Sequence, residues 1–201
     1  MKKNYLYLSF VLYIFFIILT FLIVTNNLFV NHIDQQTFNV LNNVSHHYTK
    51  LFATITVLGA PKTINCLTVI MLLFLKNNQQ RIFLLCSVLG NNLLNQVLKF
   101  NIQRPRPNIE HLTAASGFSF PSGHAMATAS FALAICLIYS QITHKKLFFC
   151  LNSIFFCLIF ISRPLLHVHY LSDVVAGSLL ASANILLFYY FFGNRVKYNH
   201  S

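Results

Sequence analysis

The stretch FSFPSGHAMATASFALAICLIYS, residues 118–140, decides how the chain is read. From Ala125 onward it has the composition of a lipid-facing helix, yet it opens on Pro121, Ser122, Gly123 and His124. Proline suits a first helical turn, serine caps it, and glycine lets a ligand come close to the backbone. A helix N-terminus presents free N–H groups and a partial positive charge, so it receives anions. The stretch therefore implies both a span and an anion at its mouth.

The rest of the chain agrees with a membrane setting. Of 201 residues, 56% are hydrophobic and 8% charged, with a mean hydropathy of +0.63. A soluble domain carries about 25% charged residues, and so few charges cannot cover a water-facing surface. A spanning helix needs roughly 20 mostly apolar residues. Runs of that kind fall at about residues 5–25, 51–75, 82–98, 123–140, 147–161 and 171–192. The expected fold is an all-α integral membrane bundle of six transmembrane helices forming one domain, residues 1–201. The first run is longer than a signal-peptide core of about 7–15 residues and has no small-x-small cleavage site, so it reads as a retained span.

Basic residues prefer cytoplasmic loops. With both termini cytoplasmic, that side holds Lys2, Lys3, Lys76, Arg81, Lys145, Lys146, Arg195 and Lys197, eight of the fourteen Lys and Arg residues. A plasma-membrane location follows, with anionic lipid headgroups facing this fringe. The formal charge of +11 does not point to nucleic acid, because no basic stripe or aromatic platform accompanies it. No obligate protein partner is evident. The five cysteines, Cys66, Cys86, Cys136, Cys150 and Cys157, lie inside apolar runs and read as buried small hydrophobes.

Residues 26–50, NNLFVNHIDQQTFNVLNNVSHHYTK, are polar with Phe38, Val40, Leu41 and Val44 at helical spacing. A short interfacial helix between the first two spans is expected there, with His46 and His47 interfacial or solvated. In LGAPK, residues 58–62, Pro61 breaks or starts a helix. Lys62 then snorkels outward, a role near an outer site being the alternative.

With six spans, three polar clusters share the extracytoplasmic face: KFNIQRPRP (99–107), PSGH (121–124) and SRPLLHVHYLSD (162–173). They gather Lys99, Arg104, Arg106, Ser122, His124, Arg163, His167, His169 and Asp173, a cationic set with one carboxylate. Arginines recognise phosphate oxygens bidentately, so a tetrahedral phosphate is the expected tenant. His169 and Asp173 stand four apart, which on a helix places them on one face. A carboxylate so placed fixes the imidazole tautomer and frees the other nitrogen as nucleophile or base, with His124 as proton donor. Singly, each residue also reads as an interfacial anchor or a cap. As a cluster near a membrane they read as a site.

Lys99-x6-Arg106-Pro107, Pro121-Ser122-Gly123-His124 and Ser162-Arg163-x5-His169-x3-Asp173 together resemble the three-part motif of the type 2 phosphatidic acid phosphatase superfamily. The motif-bearing part is 99–173, and the six-span layout carries the likeness over most of the chain. The resemblance implies a lipid phosphate phosphatase that needs no metal or other cofactor. His169 would form a phosphohistidine, Asp173 orient it and His124 protonate the leaving oxygen. Lys99, Arg106, Arg163, Ser122 and the Gly123 backbone would hold the phosphoryl group. Pro164 beside Arg163, and His167 where relatives often carry a small residue, depart from the expected pattern. His167 either meets a second phosphate of a diphosphate or faces water, and Arg104 is a candidate extension of the anion site.

The small relatives implied act on undecaprenyl diphosphate or phosphatidylglycerophosphate, phosphatidic acid being a further candidate, and an outward-facing site favours the undecaprenyl carrier. Two rivals predict different things. A lipid phosphotransferase would release phosphate only to an acceptor. An anion transporter would need ionisable groups at mid-span, where the third span offers only Asn92, Asn95 and Gln96.

Overall fold

A computed structural model describes residues 2–140 and 145–196, apart from the side chains of residues 2, 43–46, 145, 194 and 195. Lys197, and the side chains of Lys2, Val44, His46, Lys145 and Arg195, thus lie outside the described residues. Among those described, the chain forms seven helices and no strand: α1 (Lys2–Val24), α2 (Leu28–Leu58), α3 (Pro61–Phe74), α4 (Asn78–Ile102), α5 (Gly123–Ile138), α6 (Lys145–Leu165) and α7 (Leu171–Val196). Asn27 and Asn77 cap α2 and α4, their side chains accepting from Phe29 N at 3.0 Å and Gln79 N at 2.8 Å.

Helices α1, α4, α6 and α7 are each long and apolar enough to cross a membrane, and the pair α2–α3 adds one broken span bent by 44°. The expected short interfacial helix is instead the first part of a 31-residue α2. No Gly or Pro interrupts residues 28–58, so the helix runs on until Gly59. A Cβ on Gly59 would stand 2.5 Å from Ile159 Cγ2, so the break lies where α6 presses on the chain. The Gly59 carbonyl, freed by the break, accepts from Thr128 Oγ1 at 3.4 Å.

Helix α5 corrects a second expectation. It is apolar but only 16 residues long, and most of it is buried against α3, α4, α6 and α7. Its alanines, Ser130 and Gly123 let neighbouring backbones close in, so its apolar surface faces protein instead of lipid. The lipid-facing surface is supplied elsewhere, with Tyr7, Phe10, Ile14, Phe15, Ile17 and Phe21 of α1 all exposed. The cysteines also differ from the reading: Cys66, Cys86, Cys150 and Cys157 are exposed on helix outsides and Cys136 is half-buried. In this setting an apolar side chain can leave water by facing lipid as well as by facing protein.

Polar side chains within the helices bond across the bundle. Asn184 Nδ2 of α7 donates to Asn91 Oδ1 of α4 at 2.6 Å, and Tyr13 OH of α1 donates to Asn184 Oδ1. Ser9 Oγ donates to the Ala183 carbonyl at 2.8 Å, and Asn92 Nδ2 to Asn65 Oδ1 of α3 at 2.7 Å. The third-span amides weighed for a transporter therefore include two, Asn92 and Asn95, that join helices. Asn95 Nδ2 holds the Pro121 carbonyl at 3.0 Å.

Candidate active site

The site is built from the loop 103–122, the mouth of α5, the end of α6 and the start of α7. Loop 103–122 is pinned by Ser119 N donating to the Arg104 carbonyl (2.8 Å) and Leu112 N to the Leu166 carbonyl (3.1 Å). Leu165, Leu166 and Val168 form a buried apolar floor with Leu112, Ala115 and Phe52 packed against it.

The α5 mouth is clasped from two sides. Ser122 N donates to the Asp173 carbonyl at 3.1 Å, and Ser122 Oγ caps the helix by accepting from Ala125 N at 3.5 Å. A Cβ on Gly177 would stand 2.9 Å from the Ser122 carbonyl oxygen, so the cap of α5 and the second turn of α7 touch only because position 177 has no side chain. A Cβ on Gly123 would meet Asn95 Oδ1 at 3.2 Å, which makes close packing on α4 a second reason for glycine there.

His169 and Asp173 meet, though not as two turns of one helix. α7 begins at Leu171, so His169 precedes it. Asp173 reaches back to accept from Tyr170 N at 3.0 Å, the N3 arm of a capping box. His169 Nδ1 lies 3.5 Å from Asp173 Oδ2, with Ser119 Oγ 3.4 Å from Nδ1 and donating to that same Oδ2. The other ring nitrogen, Nε2, is 3.4 Å from Arg106 Nη1. Burial first, and then the Arg163 and Arg106 charges, push the His169 imidazole down to about 3 against the opposing pull of Asp173. At neutral pH the ring is uncharged, and Nε2 carries a lone pair whenever Nδ1 holds the proton.

Arg106, beside that nitrogen, belongs to a set of cations, and the Arg163 charge also bears on the ring. Arg106 is braced by the carbonyls of Gly117 (3.0 Å), Ser116 (2.7 Å) and Val168. Lys99 Nζ donates to the Phe118 and Ser119 carbonyls. Arg163, 4% exposed, donates from Nη1 to Thr56 Oγ1 at 2.7 Å, while its Nε is buried with no partner. His124 is half-buried at the α5 mouth, within electrostatic reach of Arg163, His169, Arg106 and Lys99. Motif residues separated by up to 74 positions thus bear on one spot, as 173 − 99 gives.

Two sequence candidates are placed differently. The Arg104 guanidinium is held between two carboxylates, Asp173 Oδ1 at 2.5 Å and Asp34 Oδ2 at 2.9 Å, so it is already committed within the protein. His167 is buried at φ +60° with Nδ1 3.0 Å from the Glu110 carbonyl and its ring edge against Phe38. It lines a cavity of about 290 Å³ with Gln35, Phe38 and Asn39, whose lining includes none of Lys99, Arg106, Arg163 or His169, and it is not out in water. Lys62 is exposed at the second position of α3, as its outward-snorkelling reading expects.

Four residues were missed by reading the motifs alone: Asp34, Ser119, Thr56 and Gly177. Asp34 carried a signal, being one of three acids in the chain, and Gly177 another, as a lone glycine in an apolar run one turn after Asp173. Ser119 and Thr56 carried none.

Comparison with known proteins matches residues 80–197 to the family model described as the PAP2 superfamily. Phosphatidylglycerophosphatase B of Bacillus subtilis (strain 168) is 34% identical over 143 residues, 67% of this chain and 69% of that protein. The crystal structure of a transmembrane PAP2 type phosphatidylglycerolphosphate phosphatase from Bacillus subtilis superposes with a TM-score of 0.83 at 28% identity, over 95% of this chain and 98% of that one. Aquifex aeolicus LpxE superposes with a TM-score of 0.64 at 23% identity, over 77% and 94%, a likeness of fold.

Proposed function

The chain belongs to the PAP2 superfamily, and on that premise we propose that it is a multi-pass membrane phosphatase removing the terminal phosphate of a lipid phosphate or diphosphate. The observation that carries the reading is His169. Its Nδ1 faces Asp173 and Ser119 and its Nε2 faces Arg106, while His124 lies within electrostatic reach of it and of Arg163, Arg106 and Lys99.

The phosphoryl group sits among Lys99, Arg106 and Arg163 at the N-terminus of α5, with the Gly123 N–H and the Ser122 cap completing the cradle. The unpartnered Arg163 Nε supports this seat. His169 Nε2 attacks phosphorus as the P–O bond to the lipid breaks, and His124 gives its proton to the departing oxygen. A water, deprotonated by His124, then attacks the phosphohistidine, the N–P bond breaks, and inorganic phosphate leaves. Positioning and charge stabilisation dominate such transfers, and fixed cations supply them here.

In this reading α5 is a sixth span, sheltered by its neighbours. Lys3, Lys76, Arg81 and Lys146 then lie at the end of the bundle away from the site, which supports cytoplasmic termini and an extracytoplasmic site. The similarity to the Bacillus subtilis enzymes brings phosphatidylglycerophosphate forward as substrate, with undecaprenyl diphosphate second. The test is phosphate release by purified protein from these lipids and from phosphatidic acid, with and without a hydroxyl acceptor. Release without acceptor from wild type, abolished in His169→Ala, is the expected result. Release only with acceptor would make the protein a transferase.

A further inference from the structure

We propose that Asp34 is a positioning residue for this reaction, acting through Arg104 on the Asp173 carboxylate and so on His169. The inference rests on the phosphatase reading above and adds to it a residue of α2, outside all three motifs.

Asp34 is 1% exposed, whereas Glu110 lies at the surface. A carboxylate is kept in such a place only by hydrogen bonds and opposite charge. Its Oδ1 accepts from Ser172 N at 2.9 Å, and its Oδ2 accepts from Ser172 Oγ at 2.6 Å and Arg104 Nη2 at 2.9 Å. The other arm of Arg104, Nη1, donates to Asp173 Oδ1 at 2.5 Å and Ser172 Oγ at 2.8 Å. The guanidinium lies 4.1 Å over the Tyr170 ring, which fixes its plane. A planar, rigid fork held at one arm by Asp34 presents the other to Asp173 in one geometry. Oδ1 of Asp173 is thereby anchored, and Oδ2 is left to Ser119, Tyr170 N and the imidazole.

Charge gives Asp34 a second consequence. Arg104 alone would neutralise Asp173, the group that must answer the positive charge on the ring when Nε2 bonds to phosphorus and Nδ1 keeps its proton. Two carboxylates and one guanidinium leave the cluster one net negative charge. Asp34 thus lets Arg104 hold Asp173 without cancelling it.

The test uses full-length protein in detergent with phosphatidylglycerophosphate, comparing wild type, Asp34→Asn, Arg104→Gln, the double variant and His169→Ala. For each, kcat and KM are measured, with the inhibition constant of inorganic phosphate. Asp34→Asn should lower kcat by roughly tenfold to a hundredfold, the range for partners that orient a reacting group. KM and the phosphate constant should stay within about twofold, since the phosphate seat is untouched. In the Arg104→Gln background Asp34→Asn should cost nothing further, or restore activity, because it then removes a carboxylate that repels Asp173. Unchanged kcat in Asp34→Asn, losses that multiply in the double variant, or phosphate binding lost together with kcat would each overturn the proposal. Wild type that releases no phosphate would bring down the phosphatase reading, and this inference with it. Active wild type, inactive His169→Ala and indifferent Asp34→Asn would sink only the inference.

Discussion

His169 titrates in the unfolded chain near 6.5 and in the folded protein only near 3. Between those values the unfolded state binds more protons, so this residue's contribution to stability falls as the pH drops through that window. Asparagine cannot titrate there. The melting temperature of wild type in detergent should therefore decline more steeply from pH 6.5 toward about pH 4 than that of His169→Asn, and equal slopes would count against a buried neutral ring. His124→Ala should slow turnover by about 10²–10⁴-fold, the usual worth of a general acid, and least for lipids with good leaving groups. Its readout is kcat across lipids whose leaving oxygens differ in basicity. At this scale the motif side chains were legible because each type matches one piece of phosphoryl chemistry. Asp34 was not, since its partners Arg104 and Ser172 are 70 and 138 positions away and its polar neighbours suggested a solvated stretch. Arg104 was misread for the same reason: the sequence showed its charge but not the carboxylates that claim it.

Between elements, the joint where a side chain would meet rigid backbone is Gly177 against the Ser122 carbonyl. A methyl group there overlaps a backbone carbonyl that cannot swing aside, so Gly177→Ala must part α5 from α7. Overpacking of this kind costs about 1–3 kcal/mol. The expected outcome is a lower melting temperature together with a loss of kcat, because the same shift moves the Ser122 cap away from Asp173. Asn184→Leu is a milder case. It deletes bonds to Asn91 and Tyr13 in the middle of the bundle, and such bonds in membranes are worth about 0.6–1.7 kcal/mol. Thermal unfolding should register it while KM stays constant. Apolar run length made four of the helices and the broken pair readable. Where α2 begins and ends was not readable from hydropathy, since its polar half continues as helix until Gly59, beneath Ile159. Nor could hydropathy tell a helix wrapped in lipid from α5 wrapped in protein, because both are apolar all round.

For the whole molecule, the proposed orientation is checked with a membrane-impermeant maleimide on intact cells, in a background without native cysteines. Glu110→Cys, on the exposed loop at the site end, should label directly, and Lys76→Cys, at the opposite end, only after permeabilisation. The reverse pattern would put the chemistry in the cytosol. Which loops share a face followed from counting spans, whereas contacts between the two chain ends did not. The pairing of α1 with α7 is such a contact: Ser9 and Tyr13 find their partners 174 and 171 residues downstream, at Ala183 and Asn184. During synthesis, Ser9 and Tyr13 of α1 therefore gain these partners only once α7 has been made. Closing so long a loop makes assembly late and slow, and a ribosome stalled short of residue 183 would leave behind a chain with every motif present and its first helix short of two bonds.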